Sequence, residues 1–209
     1  MEEILGLYTQ PYDPHVPLVC MDETSKQLVG ETRRALPLRP GEPRGYDYEY
    51  ERHGTCNMFM VCEPLAGRRH VQVTARRTKV DWAHLIKDVV DHHYPQAKRI
   101  QVVMDNLNTH SPASLYEAFE PAEAQRLLRR LELHYTPKHG SWLNIAEIEL
   151  SVLSRQCLSR RIPDAQLMTR EVAAWEQDRN THATPVDWRF TTADARIKLK
   201  RLYPSIQSG

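Results

Sequence analysis

Residues 99–110 read Arg-Ile-Gln-Val-Val-Met-Asp-Asn-Leu-Asn-Thr-His. The middle of this stretch is apolar without alternation, and it ends in an acid. A short run of that kind predicts a strand over 99–104 that is covered on both faces, as in a sheet wrapped by helices. Asp105-Asn106 then closes the run with turn-forming residues. Upstream, the spacing of Trp82, Leu85, Ile86, Val89 and Val90 predicts a helix over 81–93 with Asp81 as its N-cap. Downstream, helical segments over 111–119 and 122–130 break near Pro121, and 131–135 reads as another short strand.

The same grammar extends to both ends. Residues 1–15 contain Pro11 and Pro14 and read as an arm or linker, followed by a short strand over 16–22. Residues 33–54 hold three prolines, three glycines and five arginines, a composition that argues for a long loop. Two strands, 55–62 and 69–75, form a hairpin around Pro64-Leu65-Ala66-Gly67. Helices are expected over 144–159, 164–180 and 192–202. The order of strand, hairpin, helix, strand, helices, strand, helices gives an α/β domain with one mixed sheet over 16–209.

The chain has 209 residues, enough for one well-buried domain, and 26% of them are charged with a net charge of +1. No apolar run approaches the length of a membrane span, and Met1-Glu2-Glu3 is not the cationic start of a secretory signal. The four cysteines, Cys20, Cys56, Cys62 and Cys157, show no CxxC spacing and read as reduced, packed thiols of a cytoplasmic protein. The histidines form no HxxxH or Cys/His cluster along the sequence, so no zinc is expected. Five Arg-Arg pairs occur, at 33–34, 68–69, 76–77, 129–130 and 160–161. Each is read either as a phosphate-attracting patch or, more commonly for charge runs, as a solvated face.

Three stretches carry an acid in a comparable setting: Val19-Cys20-Met21-Asp22-Glu23, then Met104-Asp105-Asn106, then Ser141-Trp142-Leu143-Asn144-Ile145-Ala146-Glu147. Asp22 and Asp105 each close an apolar run, where a charge is costly unless it reaches a sheet edge or a cation. Glu147 falls near the start of a helix, on a face shared with Leu143, Leu150 and Ser151. Glu149 lies about 200° around that helix and serves as the comparison acid. Strand tips and a helix start can converge, and three such carboxylates can hold two divalent cations over a phosphodiester. Oxygen-only ligands select Mg²⁺ or Mn²⁺ over zinc. The plainer alternative is that Asp22 and Asp105 only cap strand ends and turns.

Together these stretches resemble the catalytic core of DDE transposases of the mariner-like superfamily, in its bacterial insertion-sequence branch. Met104 to His110 is similar to the second-Asp motif of that group, an Asp-Asn with a His five positions after the Asp. Leu143-Asn144-x-x-Glu147 is similar to its third-acid motif, and Met21-Asp22-Glu23 stands where its first Asp would be. The resemblance spans residues 16–203, including Tyr135-Thr136-Pro137-Lys138-His139-Gly140-Ser141-Trp142. It implies a ribonuclease H-like mixed five-stranded sheet flanked by helices, with Asp22 on the first strand, Asp105 on the fourth and Glu147 on a following helix. It further implies two bound Mg²⁺ or Mn²⁺ ions, cutting at transposon ends, joining of the freed 3′-OH to target DNA, and a homodimer on double-stranded DNA. Full-length relatives carry an N-terminal helix-turn-helix reader of transposon ends, and only a short arm precedes Val16, so a catalytic domain alone is expected.

Several further residues have two readings each. His110 could contact the scissile phosphate, orient a metal ligand, or cap and pack. Asn106 could orient Asp105 or only shape the turn. Lys138 and His139 could reach phosphate or be solvated, and Asn144 reads as the helix N-cap. Trp82 is expected in the core, whereas Trp142 is left open between packing and base stacking. The loop bearing Arg33, Arg34, Arg39 and Arg44 is the expected DNA clamp, and the basic last helix is either a partner surface or solvated. Two other functions compete: a ribonuclease H-like nuclease without strand transfer, and an inactive DNA-binding relic.

Overall fold

The first residues of strand β1 (Leu18–Glu31) alternate between two cores. Leu18 and Cys20 pack with Met58, Met60 and Cys62, whereas Val19 and Met21 pack with Phe59 and Val61 on the other face. In the computed structural model, which describes residues 1–33, 40–41, 48–138 and 140–203, this strand sits at the centre of a five-stranded sheet. Strands β2 (Tyr50–Glu63), β3 (Arg68–Thr74), β4 (Ile100–Met104) and β5 (Leu131–Tyr135) complete it in the order β3-β2-β1-β4-β5. The β1–β2 and β2–β3 pairs are antiparallel, and β1–β4 and β4–β5 are parallel. Every residue of β4 is buried, as its unbroken apolar pattern requires.

Helices cover both faces. Trp82, Leu85 and Ile86 of α2 (Lys79–Asp88), Leu115 of α3 (Pro112–Ala118) and Leu127 of α4 (Pro121–Leu128) bury the face that carries Met21. Ile145, Leu150 and Leu153 of α5 (Ile145–Gln156) and Met168 and Val172 of α6 (Ala165–His182) bury the face that carries Cys20. Residues 1–15 are not simply an arm. They begin with helix α1 (Glu2–Tyr8), whose Ile4, Leu5, Leu7 and Tyr8 belong to the second of these cores. The last helix, α7 (Thr192–Lys198), seats Ala195 in that core, and its Arg196 binds both carboxylate oxygens of Glu2 at 2.7 Å. Part of the basic face expected to be solvated or partner-binding is thus used inside the chain.

Among the boundaries that differ from the sequence reading, three have a clear physical cause. β1 runs on to Glu31, because pairing with β2 carries polar residues such as Ser25 and Gln27 into the ladder. β2 begins at Tyr50, inside the stretch read as loop. Thr78, not Asp81, caps α2; Asp81 is the reciprocal partner in the capping box. At the β2–β3 turn Gly67 has φ +67°, and a Cβ there would lie 2.6 Å from the backbone of Ala183. Only glycine meets both demands. The outer edge of β3 is closed by α6: Asn180 accepts from the Arg69 N–H and Glu176 from the Val71 N–H, each at 2.8 Å. No helix among the described residues is long and apolar enough to cross a membrane.

Candidate active site

Alternation along β1 sends Met21 and Glu23 to the α2 side of the sheet and Asp22 to the α5 side. Asp105 follows the last residue of the adjacent parallel strand β4, and Glu147 lies in the first turn of α5. These three carboxylates line one open cleft of about 400 Å³, together with Ser141, Asn144 and Ser151. Burial pushes the Asp22 carboxyl up to about 7; the charges of Glu23, Asp105 and Glu147 add to the rise, and the Glu23 N–H bond to its Oδ1 opposes it. The cleft therefore gathers three carboxylates in one space, where each disfavours the ionisation of the others.

Two supports hold the acids in place. The His110 ring is fully buried, with Nδ1 2.6 Å from Asp105 Oδ1 and Nε2 3.1 Å from Glu23 Oε2. Burial works against its protonation, yet the bond to Asp105 and the proximity of Glu23 win and raise its pKa to about 9. The imidazolium thus sits between two acids and steers one of them toward the cleft. Tyr135 donates to the carbonyl of His110 at 2.9 Å, which fixes the loop after β4. The second support is Asn144, the N-cap of α5, whose Oδ1 accepts from the Ala146 N–H and whose Nδ2 donates to the Met21 carbonyl at 2.8 Å. One side chain thereby locks the start of the Glu147 helix to the strand residue before Asp22. Tyr8 of α1 donates to the Leu143 carbonyl at 2.5 Å, so the supposed arm buttresses the same corner.

His110 is buried away from solvent, with its Nδ1 on Asp105. Asn106 is exposed and makes no side-chain hydrogen bond among the described residues. Lys138 is exposed on the loop before α5, whereas His139, Arg34, Arg39 and Arg44 lie outside the described residues. Arg33 pairs with Glu49 at 3.4 Å on the surface. Trp82 is fully buried; Trp142 is partly exposed and packs edge-on against Phe190.

Glu149 faces away from the cleft as its projection requires, but it is no bland comparison acid. It forms a buried two-pronged pair with Arg69, at 2.8 and 2.9 Å, with Arg179 3.4 Å away. Arg69 is correspondingly no solvated arginine; its side chain is 4% exposed. Sequence reasoning missed Glu23 as the second partner of His110. The available signal was its position: an acid two residues after Met21 and four after Val19, on the inward side of a strand, must find a cation.

A profile of the DDE superfamily endonucleases matches residues 17–169. No curated protein matches the chain in sequence. Among solved structures, the Mos1 mariner paired-end complex with Mn superposes with a TM-score of 0.56 at 13% identity, covering 84% of this chain and 52% of that one. The Mos1 strand transfer complex gives the same TM-score and identity over 84% and 51%. The Mos1 paired-end complex with Mg gives 0.56 at 14% identity over 87% and 54%. The chain thus spans about half the length of the Mos1 chains it matches, and shares with them the ribonuclease H-like fold.

Proposed function

Because the chain belongs to the DDE superfamily of endonucleases, we propose that it is the catalytic domain of a mariner-like DNA transposase that cuts transposon ends and joins the freed 3′-OH to target DNA. The observation that carries this reading is the convergence of Asp22, Asp105 and Glu147, from a strand, a strand end and a helix start, on one open cleft. The donor set fits a hard divalent cation: it is oxygen-only, and burial, with the neighbouring carboxylates adding to it, raises the Asp22 pKa to about 7. Asp22, Asp105 and Glu147 would hold two Mg²⁺ or Mn²⁺ ions, and Mos1, a structural neighbour, was solved with Mn and with Mg. Bound there, such ions supply Lewis-acid stabilisation of the attacking and leaving oxygens of an in-line phosphoryl transfer.

The chain's own residues do the positioning. His110 orients Asp105 and Asn144 sets the Glu147 helix against β1. The cleft is open, as a duplex substrate requires, and Ser141, Ser151 and Ser154 line the space a phosphate would enter. Arg155 donates to Ser151 at 2.6 Å, which places a guanidinium at the cleft rim. Arg33, Arg34, Arg39 and Arg44 remain the proposed DNA clamp, and Lys138 and His139 precede the third acid in the sequence. Joining two transposon ends calls for two such clefts, hence a homodimer on double-stranded DNA.

The test is cleavage and joining of DNA in Mg²⁺ and Mn²⁺ by wild type, Asp22→Asn, Asp105→Asn and Glu147→Gln. Glu117→Gln, an exposed acid paired with Lys79, is the control. Loss in the three cleft variants alone supports the reading. Cleavage without joined product would make this a nuclease. A wild type that binds DNA and metal but never cuts would make it a relic.

A further inference from the structure

At the outer edge of the sheet, His70 of β3, Asp88 at the end of α2 and His93 in the π-helical turn Val89–His93 offer ligand atoms that all lie within 4.8 Å of one another. Their chemistry differs from that of the cleft, with two imidazole nitrogens and one carboxylate instead of acids alone. We propose that His70, Asp88 and His93 form a second metal site, selective for zinc or a similar borderline transition ion, which clasps strand β3 to α2. The proposal is independent of the reading of the acidic cleft. His70 shares a face with Val61 and Met21, while Asp22 points to the opposite face.

The distances fit. A tetrahedral zinc with bonds near 2.0–2.1 Å keeps its ligand atoms roughly 3.3 Å apart. Asp88 Oδ2 lies 3.1 Å from His93 Nε2 and 3.8 Å from His70 Nε2. The three side chains are only 25% to 36% exposed, which leaves one open side for a water or a fourth ligand. A hollow of about 290 Å³ is bordered by His70, His93, Tyr94 and Glu176.

The surroundings have the form that metal-bound histidines require. With Nε2 turned to the cluster, His70 presents Nδ1 to Glu176 Oε1 at 3.3 Å, and Glu176 Oε2 is fixed by the Val71 N–H at 2.8 Å. A carboxylate behind a ligating histidine sets its tautomer and aim. His92 Nδ1 holds the other oxygen of Asp88 at 2.7 Å, leaving Oδ2 to the cluster. The π turn, closed by the Tyr94 N–H to Val89 carbonyl bond at 2.9 Å, is the local device. In an α-helix a residue five positions on would point roughly 140° away. Widening the turn lets both His92 and His93 reach Asp88, and such π turns recur at functional sites. The lack of a His/Cys spacing motif hid the cluster, because it joins a strand to a helix end.

The experiment uses a chain whose cleft is blanked (Asp22→Asn, Asp105→Asn, Glu147→Gln), with folding checked by circular dichroism. It is titrated with ZnCl₂ by calorimetry and with CoCl₂ by visible absorption. One ion per chain is expected, with cobalt bands of low coordination number. Added to the blanked chain, His93→Gln and His70→Asn should each abolish those bands, and Glu176→Gln should weaken binding roughly 10–100-fold. Exposed His182→Gln should change nothing. No ion bound by the blanked chain overturns the proposal, as does binding that survives both His70→Asn and His93→Gln.

Discussion

Replacing His110 by alanine separates what the fold needs from what the cleft needs. The ring is fully buried between Asp105 and Glu23, and the Glu23 side chain is 4% exposed. Removing the cation between them leaves Glu23 with Arg77, 4.0 Å away and half-exposed, a loss of up to about 3–5 kcal/mol on the scale of broken buried pairs. For a chain of this length that is a fall in Tm of roughly 6–20 °C, at about 2–4 °C per kcal/mol. Asp105 also loses its orienting bond, for which a cost of about 10–100-fold in metal affinity is expected. The double variant His110→Ala/Glu23→Gln tells the two apart, since neutralising Glu23 removes the stranded charge and restores none of the aim on Asp105. Differential scanning calorimetry should show Tm largely recovered in the double variant. Nicking of supercoiled plasmid across a Mg²⁺ series should show half-saturation shifted upward in both variants, with activity approaching wild type at high metal. If the double variant recovers its metal requirement together with its Tm, His110 is a packing residue and the positioning role is refuted.

Other outcomes follow from the same geometry. Glu149→Gln leaves the Arg69 guanidinium buried without its counter-charge and should lower stability by about 3–5 kcal/mol with little effect on the metal requirement. Burial pushes the Glu149 carboxyl up, but Arg69 and Arg179 outweigh it and hold its pKa below the usual value. The pair's contribution is thus full above about pH 4.3 and is lost as pH falls through the lowered folded value. The Tm gap between wild type and Glu149→Gln should therefore narrow in acid, and a gap that widens there would contradict the assignment. Asn144→Ala removes a cap and the tie to Met21, and should cost about 2–4 kcal/mol in urea unfolding while Glu147-dependent nicking falls. Gly67→Ala should destabilise by more than about 1 kcal/mol, because its positive φ and the backbone of Ala183 both oppose a Cβ. An unchanged unfolding midpoint would show that the turn relaxes freely.

What the sequence disclosed and what it hid divide along the range of the forces involved. Leu131–Tyr135 appears as a strand at the limits read from its sequence, and Asn144 caps α5 as expected, because strand period and capping are local. The three acids were picked out by the apolar runs they close or the helix start they mark; Asp105 and Glu147 do lie where an element ends or begins, whereas Asp22 lies inside β1, because pairing with β2 carries that strand on to Glu31. Helix α1 was not legible. Seven residues are too few to display a period, and Ile4, Leu5, Leu7 and Tyr8 are buried only because Leu143 and α7 come to meet them. The supports of the cleft were hidden more deeply, since the Asn144–Met21 bond spans 123 positions and no local pattern announces it. Glu149 is the instructive case. Helical projection placed it off the cleft face correctly, but direction around a helix says nothing about what waits there, and what waits is the buried Arg69. An acid off the reactive face is therefore a fair control only when it is also exposed, which is why Glu117 serves and Glu149 does not.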